Sequence, residues 1–301
     1  MSSRKILIAP SSFAAVDSTP LTELKRHGFE IIRNPFGRKL TEVELQQLLP
    51  GVIGTIAGLE PLSRRVLSES NLKVISRCGV GLDNVDMEAA RELGIQVINT
   101  PDAPTLAVAE LTVGMMLTLP RWIKSMDLAL HDGKWDKRIG MQLQGRIVTI
   151  IGFGRIGKKV SDLLRPFDVR LHIVEPLIQD ANFCVSLEEA LSSADIVSLH
   201  ASGNSVILGC REFDLMKPGV FILNAGRGNL IDEKALLSAI EKGVVAGAWL
   251  DTFSIEPYHG PLANYQQVIM TPHASTYSAQ CRLGMEMDAV KNLLAGLEAN
   301  E

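Results

Sequence analysis

The chain has 301 residues, of which 46% are hydrophobic and 21% charged, with a formal net charge of −4. That length supports two domains with separate cores, and the composition excludes a disordered or fibrous chain. No Lys/Arg cluster forms a basic stripe, which argues against nucleic acid as a partner. Cys78, Cys184, Cys210 and Cys281 are scattered without a C-x-x-C pair, so neither a metal site nor a disulfide framework is expected, and a reducing cytoplasm fits best.

The first apolar stretch, residues 6–9, is too short for a signal-peptide core, and no later run is long enough to span a bilayer, so no membrane contact is expected. Short apolar runs recur at 5–9, 29–32, 52–57, 73–76 and 95–99, separated by segments with helical spacing of Leu and Ala. Thr41 opens one separator with Glu44 three residues on, the pattern of a capping box. A long helix is expected from Thr105 to about Leu119, ending near Pro120. A second series of runs follows at 147–151, 170–174, 196–199, 220–224, 246–250 and 268–270, apolar almost throughout, as in strands buried on both faces. Residues 275–297 read as a final helix. Alternation of this kind predicts an α/β protein with two Rossmann-like domains built on parallel sheets.

The strand at 147–151 runs into Gly152-Phe153-Gly154-Arg155-Ile156-Gly157 and then a helical pattern. Gly152 permits the tight turn, Gly154 lets a pyrophosphate approach the backbone, and Gly157 lets the helix press on the strand. The helix N-terminus faces the phosphates with its free amides. Glu175 ends the next strand, about 20 residues on, where a carboxylate can accept from both ribose hydroxyls and repel a 2′-phosphate. Neither Arg nor Lys follows immediately, so NAD is the expected cofactor.

Three later strand ends carry polar residues that packing does not require: Arg227 after 220–224, Asp251 and Glu256 after 246–250, and His273 after 268–270. Loops at the carboxyl ends of parallel strands are where α/β folds place ligands. Oxidation of a hydroxy acid needs a base, and histidine titrates near working pH. It also needs a carboxylate to orient the imidazole and a guanidinium to hold the substrate carboxylate. His273, Glu256 and Arg227 supply those three groups.

In order and spacing, the chain resembles the D-isomer-specific 2-hydroxyacid dehydrogenases. The resemblance rests on Arg77-Cys78-Gly79-Val80-Gly81-Leu82-Asp83-Asn84-Val85-Asp86, Val108-Ala109-Glu110, the glycine turn, Met216-Lys217-Pro218-Gly219, Asn224 to Gly228, Asp251 through Glu256-Pro257, and Thr271-Pro272-His273. It implies an Arg227/Glu256/His273 triad acting on a small 2-hydroxy or 2-keto acid. Gly79, Val80 and Gly81 would form a main-chain cradle for the substrate carboxylate, and Asp251 would meet the nicotinamide carboxamide. Arg155 and Ile156 would contact the pyrophosphate. Ala225, Gly226, His200, Ala201, Ser202 and Thr105 complete the expected cofactor contacts. The architecture implied is a discontinuous, flavodoxin-like substrate domain (1–100 plus 275–301), an NAD-binding Rossmann domain (101–274), an active site in the cleft between them, and a homodimer.

Departures from the family pattern are Ser202, where a proline is common, and Glu175 in place of Asp. Residues 58–61 carry Glu60 where phosphoglycerate enzymes often carry arginines, a charge expected to oppose a substrate phosphate. An NAD(H)-sensing protein of corepressor type is the alternative reading, although the chain shows no long disordered tails. Formate enzymes of the family would carry Gln at the position of Glu256; a phosphite-oxidising sibling stays open.

Overall fold

The structure is a computed structural model that describes residues 4–178 and 184–300. It divides into two compact units, Met1–Pro104 with Tyr277–Glu301, and Thr105–Thr276.

The first unit contains strands β1 (Lys5–Ile8), β2 (Glu30–Arg33), β3 (Val52–Ala57), β4 (Val74–Arg77) and β5 (Gln96–Asn99), ordered β2-β1-β3-β4-β5 with every pairing parallel. Parallel pairing forces each connection to cross over a sheet face, and the crossovers are helices. One of them, Glu42–Leu48, opens on the capping box expected at Thr41: the threonine hydroxyl accepts from the Glu44 amide, and the Glu44 carboxylate accepts from the Thr41 amide. The C-terminal helix, Ala279–Glu298, packs on this sheet. Its close approach needs Gly54 and Gly296, since a Cβ on Gly54 would lie 2.8 Å from Leu293 and one on Gly296 2.9 Å from Val74. The Ser76 hydroxyl donates to the Ala289 carbonyl at 2.7 Å, fixing the helix along β4.

The second unit contains β6 (Ile147–Ile151), β7 (Arg170–Val174), β8 (Ile196–Leu199), β9 (Val220–Asn224), β10 (Val245–Leu250) and β11 (Val268–Met270), ordered β11-β10-β9-β8-β6-β7 and again parallel throughout. All residues of β8 and β9 are buried, which is why those segments read as unbroken apolar runs. In both units the strand order reverses once, beside the first strand of the unit. In open α/β sheets ligands bind outside the carboxyl ends of the strands at such a reversal. These points are the loops after β1 and β3 in the first unit, and after β6 and β8 in the second.

Among the described residues, no single helix is long and apolar enough to cross a membrane.

Candidate active site

The glycine turn sits at the reversal point of the second sheet. Gly152 has φ +92°, and a Cβ there would lie 2.5 Å from the Ala201 amide nitrogen, so the turn after β6 and the loop after β8 touch backbone to backbone. Gly157 is needed for the same reason: its Cβ would meet the Gly152 carbonyl at 2.1 Å. Gly154, by contrast, faces open space and caps the ten-residue helix Arg155–Leu164, whose first amides have no helical acceptor. Arg155 is exposed at that helix start and Ile156 half-buried. Beside the turn, the Glu175 carboxylate accepts from the Phe153 amide at 3.0 Å and the Leu177 amide at 3.2 Å. An open glycine face, a helix N-terminus and a carboxylate anchored next to both form a cradle that fits a dinucleotide.

The three residues read as catalytic lie in the same unit, at successive strand ends. His273 Nδ1 is 3.1 Å from Glu256 Oε2, and both side chains are about one-third exposed, at 36% and 34%. Glu256 is held from its other oxygen by the Phe253 amide at 3.2 Å. His273 has a left-handed backbone, φ +51°, and its amide donates to the carbonyls of Asp251 and Thr271, both at 2.9 Å. A non-glycine residue in that region persists only where its surroundings enforce it.

Asp251 is the enforcing group. It is 1% exposed, and its carboxylate accepts from the Thr271 hydroxyl (2.5 Å), the Ala274 amide (2.8 Å), and the Ser275 amide and hydroxyl (3.0 and 2.5 Å). The Trp249 indole donates to the Thr271 oxygen at 3.0 Å, so the threonine proton must point at Asp251. Both of its oxygens thus accept from the loop that carries His273. Thr271 stood in the sequence only as part of the motif before His273, with no role given to it, and Ser275 was not singled out, since nothing distinguishes it from an ordinary loop residue.

Arg227 reaches the same region through a glycine contact. Gly228 packs so closely on the next loop that a Cβ would lie 1.9 Å from the Phe253 carbonyl carbon. The loop bearing Arg227 therefore rests on the loop bearing Glu256. Asn224 braces it, donating to the Arg227 carbonyl at 2.9 Å and accepting from the Gly226 amide at 3.0 Å. The guanidinium donates to the Gly226 carbonyl at 3.1 Å. The Gly226 amide is already donated to Asn224. The His200 ring is also turned inward, its Nε2 2.8 Å from the Ser198 hydroxyl and its Nδ1 buried without a partner. Burial pushes this imidazole down to about 4. Ala201 and Ala225 are half-buried at the strand ends, Ser202 is exposed, and Thr105 lies half-buried in the first turn of the helix Pro104–Thr118.

Gly79, Val80 and Gly81 belong to the first unit, after β4. The Gly79 amide donates to the Thr100 hydroxyl at 2.8 Å, and a Cβ at Gly79 would meet the Arg77 guanidinium at 2.4 Å. Gly79 thus shapes this loop through its contacts with Thr100 and Arg77. The loop after β3 also departs from expectation. Glu60 is 2% exposed, accepts from the Gly58 amide at 2.7 Å, and has its carboxyl pushed up by burial. The Glu60 carboxyl is engaged inside its own loop, and residues 58–61 supply no cation.

Residues 113–275 match the family model described as D-isomer specific 2-hydroxyacid dehydrogenase, NAD binding domain. The chain is 35% identical over 300 residues to a D-3-phosphoglycerate dehydrogenase of Sus scrofa, covering 94% of this chain and 55% of that one. It thus spans about half the length of that relative. To a hydroxypyruvate reductase of Thermotoga maritima it is 35% identical over 264 residues, 82% of this chain and 86% of that one. A solved glyoxylate reductase from Paecilomyes thermophila shares the fold with a TM-score of 0.87 at 28% identity, over 100% of this chain and 97% of that one. With these matches spanning both units, the chain belongs to the D-isomer specific 2-hydroxyacid dehydrogenase family.

Proposed function

We propose that the chain is an NAD-dependent oxidoreductase interconverting a small D-2-hydroxy acid and its 2-keto acid, with Arg227, Glu256 and His273 as its catalytic residues. The observation that carries this reading is the His273–Glu256 contact, one-third exposed at a strand end beside the Arg227 loop. A carboxylate can only accept, so Nδ1 carries the proton and Nε2 is left to exchange one with the C2 oxygen. Glu256 then stabilises the imidazolium that forms when Nε2 takes the hydroxyl proton. Arg227 pairs with the substrate carboxylate and polarises the C2 oxygen. In the first unit, the loop Gly79, Val80 and Gly81 after β4 is the proposed main-chain cradle for a carboxylate. NAD, when bound, takes up or returns the hydride at C2. Gly154, the start of the helix Arg155–Leu164 and Glu175 are the groups that hold it, and the anchored Glu175 disfavours NADP. Catalysis is favoured over the corepressor-like alternative because the relatives it matches are named as a dehydrogenase and reductases.

The absence of a cation in residues 58–61 favours an unphosphorylated substrate such as glyoxylate or hydroxypyruvate. Four free cysteines accord with a reducing cytoplasm. A second copy of the chain is the proposed partner. In the second unit Trp135 and Ile139 are 80% and 98% exposed, and a separate groove of about 640 Å³ is lined by Met116, Leu117, Ile123 and Met126.

The test is a panel of 2-keto acids with NADH, followed at the nicotinamide absorbance and including glyoxylate, hydroxypyruvate, pyruvate and 3-phosphohydroxypyruvate. Reduction of the unphosphorylated acids is expected. No turnover with any of them refutes the enzyme reading, and preference for the phosphorylated acid refutes the substrate class.

A further inference from the structure

The loop that carries Glu256 folds back on itself within the second unit. Phe253 and Tyr258 stack at its two ends, with ring centroids 4.4 Å apart and planes at 25°, while Ile255, next to Glu256, is exposed and supplies little packing. The Phe253–Ser254 peptide at the start of this loop is engaged in three ways. The Phe253 amide donates to Glu256 Oε1 at 3.2 Å. The peptide lies against Gly228, where a Cβ would fall 1.9 Å from the Phe253 carbonyl carbon and 2.4 Å from the Ser254 nitrogen. From a separate element, Glu233 Oε1 accepts from the Ser254 amide at 2.9 Å and from the Ser254 hydroxyl at 2.8 Å.

Glu233 opens the helix Glu233–Glu241, and an acidic residue in a first turn ordinarily serves the helix itself, through its dipole or its cap. Here the cap is supplied by Asp232, whose carboxylate accepts from the Lys234 and Ala235 amides at 2.9 and 3.1 Å. The Glu233 carboxylate instead crosses to a residue 21 positions along the chain, where one oxygen collects two donors. Hydrogen bonds to an ionised acceptor are about twice as strong as neutral ones. Ser254 is exposed, so water could satisfy both donors, and what the carboxylate adds is a fixed position. The connection continues to the site: the peptide held by Glu233 sets one oxygen of Glu256, and the other oxygen of Glu256 lies 3.1 Å from His273 Nδ1.

We propose that Glu233 is a positioning residue: it fixes the Phe253–Ser254 peptide and, through it, the Glu256 carboxylate that orients His273. The proposal rests on the dehydrogenase reading above. A displacement of about 1 Å in a group of this kind can cost about 10²-fold in rate.

The experiment measures kcat and KM on the best keto acid of the panel above, with the NADH dissociation constant and Tm of each protein. The proteins are the unchanged chain, Glu233→Ala, Glu233→Gln, Ser254→Ala and Glu256→Ala, with Glu233→Ala and Ser254→Ala each repeated in the Glu256→Ala background. Glu233→Ala should lower kcat by roughly tenfold or more, with KM and NADH binding within about twofold of the parent. Glu233→Gln keeps an acceptor oxygen for Ser254 and should recover kcat to within about threefold. Ser254→Ala removes the hydroxyl bond alone and should cost about three- to fivefold. With no Glu256 carboxylate left to position, Glu233→Ala should change kcat by less than about twofold. An equal loss with and without the Glu256 side chain, or a parent-like kcat in Glu233→Ala, overturns the proposal. Should Glu233→Ala fail to fold, the same comparison on Ser254→Ala decides. If the unchanged chain reduces no keto acid, or Glu256→Ala turns over as fast as its parent, the dehydrogenase reading falls and the positioning role with it. If both hold and the losses are merely additive, the positioning role falls alone.

Discussion

Replacing Asp251 by asparagine tests whether its carboxylate serves the His273 loop or the cofactor. The substitution keeps the shape and one acceptor oxygen, but it puts an NH2 where a second oxygen now accepts. If that NH2 faces Ser275, it meets the Ser275 amide, another donor, at a separation of 3.0 Å. A hydrogen bond to a charged group contributes about 1.5–3 kcal/mol, and the variant loses at least one while setting two donors against each other. A loss of about 3 kcal/mol in the hold on a loop that keeps His273 at φ +51° corresponds to roughly a hundredfold in turnover if the released histidine leaves its working position. The assay is kcat on a reducible keto acid alongside the NADH dissociation constant by fluorescence. The account predicts a large fall in kcat with NADH binding little changed. Weakened NADH binding at undiminished kcat would refute it and assign Asp251 to the nicotinamide carboxamide.

Further predictions concern three other positions. Gly228→Ala places a methyl 1.9 Å from the Phe253 backbone; it should destabilise the protein by about 3 kcal/mol, seen as a lowered Tm, and a Tm equal to the parent would mean the two loops do not bear on each other. Glu175→Ala should reduce the NAD-to-NADP preference by roughly tenfold in kcat/KM, and an unaltered ratio would show the carboxylate does not exclude the 2′-phosphate. His200 titrates at about 4 when folded against an ordinary 6.5. The unfolded chain therefore binds a proton first as pH falls, so the stabilisation is complete above 6.5 and is lost down to about 4. The full effect is about 3 kcal/mol. Denaturant melts across that window should show the decline, and His200→Gln should flatten it; an equally steep decline in the variant would place its source elsewhere.

Much of the architecture was legible because its causes are local. The buried parallel strands announce themselves as apolar runs, and the capping box at Thr41 and Glu44 is a four-residue pattern. The glycine turn between strand and helix and the order Arg227, Glu256, His273 were equally plain. The parts that escaped depend on long-range contacts. Asp251 and Ser275 are 24 residues apart, so nothing near Asp251 shows that its oxygens are already engaged. Glu60 reads as a surface charge until the fold buries it. Arg282 and Glu286 look like an ordinary exposed helix pair, and only the packing of Ala279–Glu298 on the first sheet makes them a buried ion pair. Gly228 stood in the motif, but its reason, backbone contact with Phe253, appears only when the two loops are brought together.

The most direct test of the account is His273→Ala, measured for turnover and for NADH binding on the same preparation. Removal of the group that exchanges a proton with the C2 oxygen should lower kcat by about 10²–10⁴, with the NADH dissociation constant within about twofold of the parent. Turnover equal to the parent would contradict the assignment of His273 as the acid–base group.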